Sequence, residues 1–203
     1  MFTEERIGEI LRQLSLLRYP ETVPAIGWKM LRTTGEQRPT PSESCSGWST
    51  IPADGIWGGD CEYYAFAADL TLPETFAGHP AELSLLTGCE GQWDATNPQF
   101  SVYINGELGQ GFDVNHHELT LTECAKPGEC FSVFLSAYTG VQNFHLVFDA
   151  SLRTVDREIE GLYYDLLVPW QTACLLDQDD TQYIRLIQTL NEAVNLLDLR
   201  KPG

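Results

Sequence analysis

The sequence predicts a mainly β protein, an antiparallel β-sandwich or jelly roll, with one helix before it and a helical pair after it. Three observations carry this. Short runs with period-two alternation recur between residues 56 and 156, separated by Gly and Pro and with no helical pattern between them. Residues 3–18 and 157–197 instead place their apolar side chains at helical spacing. The composition changes with the pattern, because Pro and Ser/Thr clusters fill residues 20–55.

The first element carries Ile7, Ile10, Leu11, Leu14 and Leu17 on one face. Thr3 is available as its cap, Glu4 and Glu5 suit its dipole, and Pro20 stops it. Pro20, Pro24, Pro39, Pro41 and Pro52 then read as an extended surface linker, so residues 1–55 are expected to be a helix and a linker. The sandwich is expected over 56–156. Its strands are read at Tyr64 to Leu72, Leu83 to Thr87, Phe100 to Asn105, Leu119 to Leu121, 131–138 and 144–155. Asn105-Gly106 supplies a hairpin turn, since both residues tolerate positive φ. Residues 157–203 read as a helical hairpin: Ile159, Leu162, Tyr163, Leu166, Trp170 and Ala173 mark one helix, which Pro169 should kink or break. Ile184, Ile187, Leu190, Val194 and Leu197 form a single stripe on the other, which starts near Asp180.

With 12 basic against 29 acidic residues the net charge is −17, which argues against nucleic acid and anionic membrane as partners. Residues 1–20 carry neither a signal-peptide nor a transmembrane pattern, so the cytoplasm is the expected compartment. In that reducing setting the six cysteines, none in a Cys-x-x-Cys pair, read as packed thiols rather than disulfides or zinc ligands.

Two polar clusters are candidate sites. After the hairpin, a loop is expected to carry Gly109, Gly111, Asp113, Asn115, His116 and His117. Asp113 with a histidine could act as ligand or proton carrier, but adjacent histidines in extended chain point to opposite faces, so one at most joins Asp113. The plainer alternative is a loop whose Asp113 and Asn115 bond their own backbone. Trp93, Asp94 and Asn97, with Tyr103 and Asn105, combine flat rings with amide and carboxylate groups. Sugars need that combination, stacking C–H faces on rings and pairing hydroxyls with Asp and Asn. Tyr103 and Trp57 read as packed, whereas Trp93 leans toward exposure. No phosphate loop, nucleophile elbow, His-Glu-x-x-His pair or marked carboxylate pair is present.

Several longer runs carry a family likeness. A-E-L-S-L-L-T-G-C-E-G, W-D-A-T-N-P-Q-F, Y-I-N-G-E-L-G-Q-G-F-D-V-N-H-H-E-L, T-E-C-A-K-P-G-E, L-Y-Y-D-L and L-N-E-A-V-N-L-L-D resemble the N-terminal region of bacterial α-mannosidases of glycoside hydrolase family 38, over about residues 50 to 199. The resemblance implies a galactose-binding-domain-like sandwich followed by helices that lead into a separate catalytic domain. That domain would hydrolyse α-mannosides with retention, using a zinc ion and two aspartates, and its His-x-Asp zinc motif would lie beyond Gly203. No catalytic or metal residue is therefore carried over onto this chain, and no cofactor is expected in it. The implied partners are the catalytic domain of the same polypeptide, a second subunit in a homo-oligomeric full-length protein, and mannosides. On this reading the sandwich braces the catalytic domain or a subunit interface. The rival is a carbohydrate-binding module that contacts mannosides through the Trp93 loop, with Asp94, Asn97, Asp113, Asn115 and His116 as further contacts to sugar or domain.

Overall fold

The computed structural model describes residues 2–92 and 97–198, which form two compact units. One comprises residues 21–154 and the other joins residues 1–20 to 155–203.

The larger unit is the sandwich. Its strands are β1 (Thr22–Pro24), β2 (Lys29–Thr33), β3 (Ser49–Thr50), β4 (Ile56–Gly59), β5 (Tyr63–Thr71), β6 (Ala81–Leu86), β7 (Gln99–Ile104), β8 (Glu107–Phe112), β9 (Glu118–Thr122), β10 (Cys130–Tyr138), β11 (Asn143–Val147) and β12 (Asp149–Thr154). A four-stranded sheet runs β1-β12-β6-β9, a six-stranded sheet runs β3-β2-β5-β10-β7-β8, and β11 pairs with β4. Every pairing is antiparallel. The alternation seen in sequence is the reason for two layers. Phe66, Leu70, Val102, Val133 and Leu135 of the six-stranded sheet meet Leu83, Leu85, Ala150 and Leu152 of the four-stranded sheet in one core. Trp57 sits within it, 5.0 Å from Phe66 and 5.6 Å from Phe100 between ring centres. Its indole N–H donates to the Val147 carbonyl, so burial leaves no orphaned donor there.

The hairpin turn forms as the sequence predicts, with Asn105 at φ 53° and Gly106 at φ 86° joining Ile104 to Glu107. Three expectations are overturned in this unit. Residues 20–55 are not a linker: β1 pairs with β12, and β2 pairs with β5 over Lys29 to Thr33. The prolines sit where a sheet tolerates them, Pro24 at the end of an outer strand and Pro39, Pro41 and Pro52 outside the strands. Residues 107–112 are a strand, not a loop, because Gly109 and Gly111 allow close approach; a Cβ on Gly109 would lie 3.2 Å from the Leu119 side chain. The run 144–155 is two strands in different sheets, β11 and β12, parted at Phe148, whose ring packs 4.5 Å from Phe66.

The second unit holds α1 (Phe2–Leu17), α2 (Arg157–Cys174) and α3 (Thr181–Asn195). The helical pair is therefore a three-helix unit, with the first helix added to the expected hairpin. Ile7, Leu11 and Leu14 of α1 pack with Leu166 of α2 and with Leu190 and Val194 of α3. Asp156 caps α2, accepting from the N–H groups of Glu158 and Ile159, and Asp180 caps α3 through Gln182 N–H. Thr3 falls inside α1 rather than capping it. Pro169 does not break α2, which runs through it. One lost backbone donor is outweighed by packing on both sides, from Leu166 and Trp170 to the fully buried Ala173. Arg18 closes the unit, its guanidinium 4.3 Å from the Tyr163 ring centre and donating to the Tyr164 hydroxyl at 3.0 Å. Among the described residues no helix is long and apolar enough to cross a membrane.

Candidate functional site

The loop between β8 and β9 is built around one carboxylate. Asp113 Oδ1 accepts from the backbone N–H of Asn115 and of His116, both at 2.7 Å, and from His116 Nδ1 at 3.0 Å. Burial pushes the Asp113 pKa up, but the Asn115 and His116 hydrogen bonds outweigh it and hold the carboxyl below its ordinary range. This is an Asx turn that fixes its own loop. The two histidines diverge: His116 joins Asp113 and its side chain is 72% exposed, while His117 lies 3.7 Å from Glu118. Asn115 is exposed. Thus Asp113, Asn115 and His116 come together as a turn that offers one ring to solvent.

The second cluster separates. Trp93 and Asp94 lie outside the described residues. Asn97 is 6% exposed, which leaves little of it for a ligand. Tyr103 packs 5.8 Å from Phe134 on the outer face of the six-stranded sheet, and Asn105 Oδ1 accepts from Ser132 N–H. Among the described residues no group of three or more His, Cys, Asp or Glu is placed to hold a metal ion. The cysteine expectation fails in part: all six are free, but Cys61, Cys124, Cys130 and Cys174 are exposed.

Two polar features were not read from the sequence. On the outer face of the four-stranded sheet, Arg153 donates to Glu82 and to Glu118, each at 2.7 Å, from a side chain only 12% exposed. Glu82 stands directly opposite Arg153 across β6 and β12, whereas Glu118 comes from β9. The second is a cleft of about 510 Å³ where the chain passes from β1 to β2, beside β3. Trp28, Phe148 and Ala150 form apolar parts of its wall, and Lys29, Thr50 and Asp149 also line it. The Trp28 and Phe148 rings meet edge-on at 5.1 Å. Trp28 is 6% exposed, yet its Nε1 has no hydrogen-bond partner. An unpaired buried donor costs about 1–3 kcal/mol, and Ser84 Oγ and His117 Nδ1 are likewise buried in this unit with no hydrogen-bond partner. The apolar V-P-A-I-G-W run inside the proline-rich stretch was the signal for this cleft, because a true linker has no reason to carry it.

No family model matches this chain, and no curated protein matches it. Among solved structures it is similar to a Faecalibacterium prausnitzii β-glucuronidase, at TM-score 0.49 and 14% identity, over 68% of this chain and 33% of that one. A Bacteroides uniformis β-glucuronidase gives TM-score 0.46 and 16% identity, over 66% of this chain and 18% of that one. A Ruminococcus gnavus β-glucuronidase gives 0.45 and 11%, over 68% and 29%. The chain thus spans a third or less of the length of these enzymes. None of the three is a mannosidase, and likeness at these TM-scores carries no functional inference.

Proposed function

We propose that this chain is a non-catalytic, glycosidase-associated portion of a larger enzyme, and that its helical unit braces a catalytic domain of the same polypeptide. The observation that carries the proposal is an open apolar stripe on α2. Tyr164 and Val168 stand four residues apart on one side of α2, Leu175 follows seven residues on at its C-cap, and the three are 44%, 58% and 88% exposed. Large apolar side chains aligned this way on a small helical unit fit a contact with another folded surface. The stripe on α3 does not serve this role, because Leu190 and Val194 are buried against α1 and α2.

The finer reading is that the enzyme is an α-mannosidase, supported by the sequence runs that resemble that family. On this reading zinc, the catalytic aspartates and the hydrolysis belong to the catalytic domain, in a cytoplasmic homo-oligomer. The test uses the polypeptide isolated from its native source, assayed with aryl α-mannoside and aryl β-glucuronide beside the 203-residue chain. The expected result is a longer polypeptide that cleaves the mannoside, with no cleavage by the shorter chain. Cleavage of the glucuronide alone overturns the finer reading; cleavage of either substrate by the 203-residue chain overturns the non-catalytic assignment.

A further inference from the structure

We propose that a small pocket on the outer face of the six-stranded sheet binds the carboxylate group of a small organic acid. The register of the sheet builds it. Ser136 of β10 stands directly opposite Ser101 of β7, and in the next row on that face Tyr138 stands opposite Gln99. On the other side of β10, Tyr138 stands opposite Tyr63 of β5. Arg38, from the segment between β2 and β3, completes the wall, and the volume is about 190 Å³. That lies below the range of about 300–1,000 Å³ usual for drug-sized ligands, and at about 30 Å³ per water it holds roughly six waters. The size suits a carboxylate with a few carbons rather than a chain of sugars.

The lining selects the charge of the ligand. Arg38 is its one ionised side chain, since Gln99, Ser101, Ser136 and Tyr138 are neutral and Phe100 and Ala137 belong to the core. The guanidinium is placed by the Tyr63 ring, with Cζ 4.2 Å from the ring centre, a contact that needs no hydrogen-bond acceptor. Among the described residues Arg38 meets no carboxylate, although the chain has 29 acidic residues to 12 basic ones, and the side chains of Gln99, Ser101 and Ser136 likewise make no hydrogen bond. Arg38 and Gln99 are exposed, the two serines are half-buried, and neither serine hydroxyl is closed off from solvent, so a ligand can reach all four. A guanidinium presents its N–H groups as a fork that matches the two oxygens of a carboxylate, and the hydroxyls and the amide add donors beside it. An ammonium would meet a like charge, and a neutral hydroxyl would leave the cation without a counter-charge. The net charge of −17 opposes any anion, but charges beyond the Debye length of about 8 Å are screened at physiological salt. Asp60, whose charge reaches Tyr138, accepts from Gln142 N–H and does not line the pocket. The pocket shares no residue with the α2 stripe, so either proposal can fail alone.

The test is a titration of the ¹⁵N-labelled 203-residue chain with sodium acetate, sodium glucuronate, methyl glucoside and ethylammonium chloride, at constant ionic strength made up with sodium chloride. The signals read are the backbone N–H groups of Ser101 and Ser136 and the Arg38 Nε–H, the last identified by its loss in Arg38→Gln. Acetate and glucuronate are expected to shift all three saturably, with Kd in the range of about 1–20 mM, while the neutral glycoside and the amine leave them in place. Arg38→Gln, a change at an exposed position that removes the charge, should weaken acetate binding at least about tenfold. Arg38→Lys keeps the charge but loses the fork and should weaken it about threefold to tenfold, and Ser136→Ala about threefold. Acetate and glucuronate bound alike assign recognition to the carboxylate alone, whereas glucuronate bound about tenfold tighter extends the site to the ring of a uronic acid. Signals unmoved by either salt at about 50 mM overturn the site, as does unchanged binding by Arg38→Gln. Equal shifts with methyl glucoside overturn the carboxylate class.

Discussion

Arg153→Met is expected to destabilise the sandwich by about 3 kcal/mol, the lower end of what breaking a buried ion pair from one side costs. The arginine reaches two carboxylates, and the environment of each sets the size of the effect. Glu82 has a side chain 5% exposed, so without its cation it remains a charge in a site that water barely reaches. Glu118 is 26% exposed and can rehydrate, so it adds less. Replacing both members of the directly opposed pair, in Glu82→Met with Arg153→Met, removes the stranded charge and adds apolar contact. That double variant should lie within about 1 kcal/mol of the parent chain. Urea unfolding followed by tryptophan fluorescence reads this well, since four of the five tryptophans lie between residues 21 and 154. With a slope of about 2 kcal/mol/M, the single variant should move the midpoint down by about 1.5 M. A single-variant cost below about 1 kcal/mol, or a double variant no more stable than the single one, would refute the reasoning.

Gly58→Ala should be strongly destabilising. Gly58 sits at φ 122°, and a Cβ there would lie 2.1 Å from the Asn143 carbonyl oxygen, so β4 and β11 must part; a loss of about 3 kcal/mol or more in thermal unfolding is expected. Glu90 accepts from Thr87 N–H, Thr87 Oγ1 and Gly88 N–H, and although burial pushes its pKa up, these bonds hold it net below its ordinary 4.5. A depressed folded pKa means stability that is present above pH 4.5 and lost as pH falls through the lower folded value. The midpoint of unfolding should therefore depend less on pH below 4.5 in Glu90→Gln than in the parent chain, and an unchanged pH profile would contradict this role.

Where one signal governs an element, the sequence shows it plainly. The long strands β5 and β10 follow from strict alternation, and the turn at Asn105-Gly106 from two residues that accept positive φ. What escapes is decided by partners far along the chain. β2 has too short a pattern to declare itself, and it is a strand because β5 offers it five residues of pairing. β8 hides behind Gly109 and Gly111, whose lack of a side chain reads as loop but here permits close packing. Pro169 reads as a helix break, yet α2 is held on both sides of it by its neighbours.

The candidate site was legible only locally. Asp113 and His116 are three residues apart, so spacing alone brings them into one turn. Trp28 lies more than a hundred positions before Phe148 and Asp149 in sequence, and only the fold brings it to them. Similarly, the α3 stripe is legible as apolar, but its cover, α1, comes from the other end of the chain.

The bracing role is tested most directly by carbene footprinting of α2. Tyr164, Val168 and Leu175 should label strongly in the 203-residue chain and be protected in the longer native polypeptide, while the exposed Phe144 of the sandwich labels in both. Equal labelling of these three residues in the two proteins would contradict the account.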